Sequence, residues 1–230
     1  MCFNAKTSIT IFILSFGFFF YLVFRGVSSK KNNKDNDEYK CDIYAGIMTL
    51  LIGSMQLVEF FLWKNQICNK FNHSLSITLF ILLYLQPILR TITASILFQS
   101  KILSTVSSLL VISCSIFTII MMYNLNNFQQ RKLCSLSACS SGCRLRWAPL
   151  DDRSISMTLF WIFYFLIYSL DDLRDFQLGL VSNYPLRYAI LPITLLMAVL
   201  YTILFSPKNV FGSVWCFLAI VYGPIAILRV

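Results

Sequence analysis

Histidine is almost missing from this chain of 230 residues, with His73 its single example. No poly-histidine zinc site can be assembled from it, His-Glu-x-x-His is absent, and so is the Gly-x-Ser-x-Gly turn of serine hydrolases. Charge is scarce as well: Asp, Glu, Lys and Arg together make up 13% of the residues, against about 25% in a soluble domain. No polar stretch reaches the roughly 50 residues that a separate soluble domain needs. Internal and inverted repeats are also lacking. These absences exclude a soluble fold and the common hydrolases. They predict a single domain over residues 1–230 that is not an enzyme and holds no cofactor or metal.

What the chain has instead is apolar bulk, 57% of its residues with a mean hydropathy of +0.71. The apolar residues gather into seven blocks, Thr7–Phe24, Ile43–Trp63, Leu75–Phe98, Ile102–Leu125, Ile155–Leu170, Tyr188–Phe205 and Val210–Leu228. Each is close to the ~17–25 residues of a transmembrane helix, the fifth being the shortest. Unbroken apolarity over such lengths excludes barrel strands, which alternate over about ten positions. The predicted fold is therefore an all-α, polytopic transmembrane bundle of about seven spans. The first block ends near Gly26-Val27-Ser28, which resembles a signal-peptide cleavage site. Its apolar run exceeds the ~7–15 residues of a signal core, however, so a retained span is expected. Phe and Tyr, 21 and 11 residues, read as lipid-facing and interfacial side chains.

The net charge of +9 does not point to nucleic acid, because the basic residues are scattered among the loops instead of forming a stripe with stacking aromatics. Phosphate headgroups of membrane lipids are the expected anions. Arg25, Lys30, Lys31 and Lys34 follow the first block while only Lys6 precedes it, which by the positive-inside rule puts the N-terminus outside and the C-terminus inside. Counted over all loops, the basic residues divide nine to nine and decide nothing. The cysteines cast a second vote, since Cys68, Cys134, Cys139 and Cys143 all fall on the N-terminal side. Three chemistries fit them: a disulfide in an oxidising compartment, free or acylated thiols beside Arg131, Lys132, Arg144 and Arg146, and a metal site, for which the spacing is not C-x2-C. The sequon Asn72-His73-Ser74 makes Asn72 a candidate glycosylation site on the same side. The loop Asn126–Arg153, rich in Cys, Ser and Arg, is the longest, and such length is often functional.

Within the blocks, two charged residues stand out, Glu59 and Arg90, and intramembrane charges are functional candidates by default. With Gln56 and Gln86 at intermediate depths they form a polar ladder, Glu59, Gln56, Gln86, Arg90. Helical rise puts Glu59 about 6 Å and Arg90 about 22 Å below the outer ends of their helices, so no direct ion pair is expected. Such a ladder suits a path or pocket for an ion, a proton or an anionic lipid-like ligand. The plainer alternative is that both charges snorkel to the headgroups. Gly46, Thr49 and Gly53 share a half of the second helix, where backbones can approach closely, and the small residues of the fourth predict tight packing there.

The sequence opens Met1-Cys2-Phe3-Asn4-Ala5 and carries Gln56-Leu57-Val58-Glu59 with Trp63, Gly142, Leu145-Arg146-Trp147 and Gly212-Ser213-Val214-Trp215-Cys216. In these motifs it resembles a family of multi-pass membrane proteins that open with Met-Cys-Phe/Trp-Ser-Ala and have no established activity. The resemblance implies one seven-span domain and draws attention to Glu59. Where the family pattern has His after Gly142, this chain has Cys143-Arg144. Rhodopsins and G-protein-coupled receptors share the span count but not the motifs: the last block has no lysine, and Tyr222-Gly223-Pro224 is not Asn-Pro-x-x-Tyr.

Overall fold

The computed structural model describes residues 4–32, 38–98, 105–138, 144–151, 154–177, 185–205, 214 and 221–228. Seven α-helices lie within them: α1 (Ala5–Asn32), α2 (Glu38–Lys64), α3 (Lys70–Phe98), α4 (Thr105–Gln130), α5 (Ile155–Gln177), α6 (Pro185–Phe205) and α7 (Tyr222–Leu228). Helices α1 to α5 are long and apolar enough to cross a membrane. The seventh expected span, Val210–Leu228, falls mainly outside the described residues. Among the described residues, the departure from all-helical structure is a small hairpin in the long loop, β1 (Leu136–Ala138) antiparallel to β2 (Arg144–Arg146), followed by a 3-10 turn over Ala148–Asp151.

Side-chain caps set where the odd-numbered long helices begin. Asn4 Oδ1 accepts the Thr7 backbone N–H at 2.9 Å, Asn69 Oδ1 that of Asn72 at 2.9 Å, and Ser154 Oγ that of Met157 at 3.3 Å. Helices α1, α3 and α5 therefore all start at one end of the bundle, where the hairpin sits, and α2 and α4 run back toward it.

α1 and α2 form the tightest pair. A Cβ added at Gly53 would stand 2.3 Å from Ser15 Cβ, and one at Gly46 would stand 2.9 Å from Val23 Cγ2. Glycine is required at both positions for that approach, and buried Thr49 lies between them, as the sequence predicts. α4 shows a different logic. Its buried positions, Val106, Leu110, Ser113, Phe117, Met121, Asn124 and Phe128, recur at spacings of three or four and so turn one face of the helix inward. Ser108 and Ser115 face outward, so the expected packing role of the small residues fails for them.

An aromatic core joins α3, α4 and α5. The Phe80 and Phe160 rings are 4.9 Å apart, Phe117 and Phe160 4.9 Å, and Phe80 and Phe128 5.1 Å, while Tyr84 Oη lies 2.6 Å from Thr118 Oγ1. These four phenylalanines are core residues and depart from the lipid-facing role expected of Phe, whereas Phe16, Phe20 and Phe24 are exposed along one face of α1.

The largest boundary correction is in α5. The sequence ends the fifth block at Leu170 because charges begin at Asp171, whereas the helix continues to Gln177. Its buried stripe runs Met157, Phe160, Tyr164, Ile167, Tyr168, Asp171, Arg174, Asp175, staying on one helix face while the chemistry passes from apolar to aromatic to ionic. α1 likewise extends past Phe24, so that Arg25 lies on the helix, and α2 begins early enough to include Asp42.

Candidate functional site

At the hairpin end, the turn between α2 and α3 and the segment after α4 are joined covalently. Cys68 and Cys134 form a disulfide with their Cα atoms 5.4 Å apart. Cys139 and Cys143 lie outside the described residues. Around the bond, Asn72 is fully buried and fully used. Its Nδ2 donates to Asn65 O at 2.7 Å and Ser135 O at 3.1 Å, and its Oδ1 accepts the Ser135 N–H at 2.9 Å. No face of that carboxamide is left for a glycan, which corrects its candidacy as a glycosylation site in the folded chain. Ser76 Oγ, 2.9 Å from Ser135 Oγ, and His73 Nδ1, 2.9 Å from Leu133 O, complete the attachment of this cap to α3.

The cap closes over Glu59. Trp147, from the stretch after β2, is buried and donates its indole N–H to Glu59 Oε1 at 3.0 Å. With Glu59 1% exposed beneath it, the carboxyl group does not snorkel. Gln56, one turn deeper, is also buried, and its Nε2 finds no acceptor among the described residues. Gln86 follows on α3. Its Nε2 stands 2.6 Å from Met55 Sδ, and its Oε1 accepts from Tyr164 Oη at 3.0 Å and Tyr168 Oη at 3.5 Å.

Arg90 occupies the other end, and it does not snorkel either, being 2% exposed. Its Nε donates to Tyr44 Oη at 2.9 Å and its Nη2 to Asp175 Oδ2 at 3.1 Å, with Asp172 Oδ1 in contact with the same nitrogen. The guanidinium lies over the Tyr168 ring, 5.4 Å from its centre. Tyr168 thus connects Gln86 to Arg90 through its hydroxyl and its ring face. Arg174 extends the network, with Nη2 2.9 Å from Asp175 Oδ1 and Nη1 2.7 Å from Asp171 Oδ1, the latter an ion pair off the hydrogen-bond axis. Thr91 Oγ1 donates to Asp171 at 3.0 Å. Beside this cluster Arg25 grips Asp42 through two bonds of 2.8 and 2.7 Å and also donates to Ala226 O and Ile227 O, which ties α7 to α1 and α2.

All four ladder residues therefore lie inside the bundle, and Glu59 and Arg90 make no ion pair, as the sequence predicts. Glu59 and Tyr44 both sit on α2, 15 residues apart, so the spine from cap to cluster is about 22 Å long. Sequence reasoning missed Arg90's partners. Asp172 and Asp175 lie beyond Leu170, where the fifth apolar block ends, yet the three-and-four spacing of α5 continues through them. Arg25 and Arg174, each just past the end of an apolar block, are helical and paired. The described residues contain no group of three or more His, Cys, Asp or Glu placed to hold a metal ion.

Comparison with protein-family models, with curated proteins and with solved structures finds no match to this chain. What the arrangement can do must be read from its chemistry: a row of buried polar and ionic side chains among apolar helices, with a covalently fastened cap at one end.

Proposed function

We propose that this chain is a multi-pass membrane protein of seven spans that works as a small channel or transporter, with the line from Glu59 to Arg90 as its pathway. The five long apolar helices support insertion, since α1 and α4 expose Phe20, Ile112 and Ile119 along faces that lipid would cover. In this reading α6 and the segment ending in α7 complete the seven crossings. The disulfide supports a cap on the exoplasmic side, and Lys30 and Lys31 at the last turn of α1 support a cytoplasmic opposite end, so the N-terminus is outside.

The single observation that carries the reading is the burial of Glu59, Gln56, Gln86 and Arg90 along one interior line, two of them with a donor that no described residue satisfies. Packing alone gives no reason to bury such groups, whereas a path for an ion, a proton or a headgroup-bearing ligand does. The Gln56–Glu59 and Leu145–Trp147 motifs, which carry the family resemblance, meet at the Trp147–Glu59 hydrogen bond. That meeting supports one shared functional unit.

Flux of protons, small ions and fluorescent lipid from proteoliposomes is the test. Transport of one of these species should fall to the empty-vesicle background in Glu59→Gln and Gln86→Leu protein. If the wild-type chain moves none of them, the transport reading fails. The second reading, a non-catalytic structural or ligand-sensing protein acting through its Cys-rich loop, is favoured by the disulfide-fastened hairpin. Capture of a specific ligand by residues 126–153 in flux-inactive vesicles would select it.

A further inference from the structure

We propose that Asp171, Asp172, Asp175, Arg90 and Arg174 together hold one exchangeable proton, which enters and leaves through Asp172. The proposal rests on the transport reading only for its use, since it names the proton as the species the spine handles. Three carboxylates face two guanidiniums, a formal charge of −1, and every member except Asp172 is 5% exposed or less. No pairing satisfies all three acids. Arg90 Nη2 serves both Asp172 and Asp175, and Arg174 serves both Asp171 and Asp175. An uncompensated charge in such surroundings is costly, and one bound proton removes it.

Among the described residues, nothing nearby supplies the missing positive charge. The cluster is faced by Tyr44 of α2, Thr91 of α3, Cys114 of α4 in reach of Thr91, Tyr164 and Tyr168 of α5, and Tyr222 of α7 in reach of Tyr44. All are neutral at neutral pH. The described side chains of α6 carry no charge. Arg25 is matched by Asp42, and Lys30 and Lys40 stand over the Tyr39 ring.

A second observation places the exchange. Arg90 Nη1 is buried and has no acceptor among the described residues. Asp172 is the member that reaches the surface, its side chain 33% exposed while its partner Arg90 is 2% exposed. Proton uptake converts one carboxylate to a carboxylic acid and hydronium to water, and leaves the five groups neutral. Because the acids share their counter-charges, the proton belongs to the group and not to one residue.

Infrared difference spectra of the full chain in detergent, recorded across a pH titration in H2O and D2O, test this without any transport assay. One deuterium-sensitive carboxylic-acid band per chain is expected, fading as pH rises. It should be absent in Asp172→Asn, present in Asp172→Glu, and unchanged in Glu59→Gln, which removes the buried carboxyl at the far end of the spine. The proposal is overturned by a folded wild-type chain without the band, by a band that survives D172N or vanishes in E59Q, or by a band that sodium or potassium removes at constant pH. If D172N does not fold, the wild-type titration and E59Q still decide. A titrating band in vesicles without flux would sink the transport reading alone, and flux without the band would sink the proton site alone.

Discussion

Replacing Gly53 with alanine puts the packing of α1 on α2 to a sharp test. The new methyl carbon would stand 2.3 Å from Ser15 Cβ and 2.6 Å from Ser15 Oγ, where carbon atoms in contact ordinarily lie about 3.5–4.0 Å apart. A deficit of over an ångström, met by backbone-borne atoms on both sides, forces the helices apart or shifts them along each other. Overpacking of this kind costs about 1–3 kcal/mol, offset by up to about 1 kcal/mol from the better helix propensity of alanine. With a clash this severe the upper part of the overpacking range, about 2–3 kcal/mol, applies, and a net loss of about 1–2 kcal/mol is expected for Gly53→Ala. Ser15 Oγ donates only to Ile11 O in its own helix, so trimming it to alanine removes little and leaves the clashing Cβ in place. The pair S15A/G53A should thus stay destabilised, while S15G/G53A, which moves the one Cβ from α1 to α2, should recover most of the loss. Thermal unfolding of the detergent-purified full chain, followed by intrinsic fluorescence, reads all four proteins. A G53A chain as stable as wild type, or equal recovery by both double variants, would refute the close approach of these helices.

Three further outcomes follow from the cap. Non-reducing peptide mapping should recover Cys68 joined to Cys134, and Cys68→Ser should cost about 3–4 kcal/mol, the loop-entropy value for a 66-residue separation with part of the chain held helical when unfolded. Trp147→Phe keeps a ring in place but removes the donor to buried Glu59, for an expected loss of about 1.5–3 kcal/mol in the same unfolding assay. Glycosidase treatment should leave the mobility of the folded chain unchanged. Asn72→Ala should destabilise by about 2–3 kcal/mol through the unmatched backbone groups of Asn65 and Ser135, and a neutral effect would contradict the buried role of Asn72.

Much of the fold is legible in the sequence because a long apolar block has a simple solution: a helix satisfies its own backbone polar groups, and five of the blocks form helices long and apolar enough to cross a membrane. Gly46 and Gly53 mark the half of α2 where another backbone comes close for an equally local reason, the absence of a Cβ, although they do not say that α1 is the neighbour. The candidate site is legible only in half. Glu59, Gln56, Gln86 and Arg90 stand out as polar residues in apolar blocks, but the partners that give them meaning do not. Asp172 and Asp175 look like the end of a span, since composition cannot tell a charge that leaves the bilayer from one that is met by Arg90 inside the bundle. Trp147 is hidden for another reason: it lies in a loop 88 positions from Glu59, and no local spacing links the two. Of the cysteines, the sequence brings four to one side and leaves their chemistry open, because pairing depends on where the turn after α2 meets the segment after α4.

The bond between Cys68 and Cys134 also constrains how the molecule is made. Its two sulfurs can meet only in one compartment, so an even number of crossings must separate them, and α3 and α4 are those crossings in the proposed topology. Oxidation therefore has to wait until both helices have been threaded as a hairpin. Trapping free thiols on nascent chains of increasing length would date that event during synthesis.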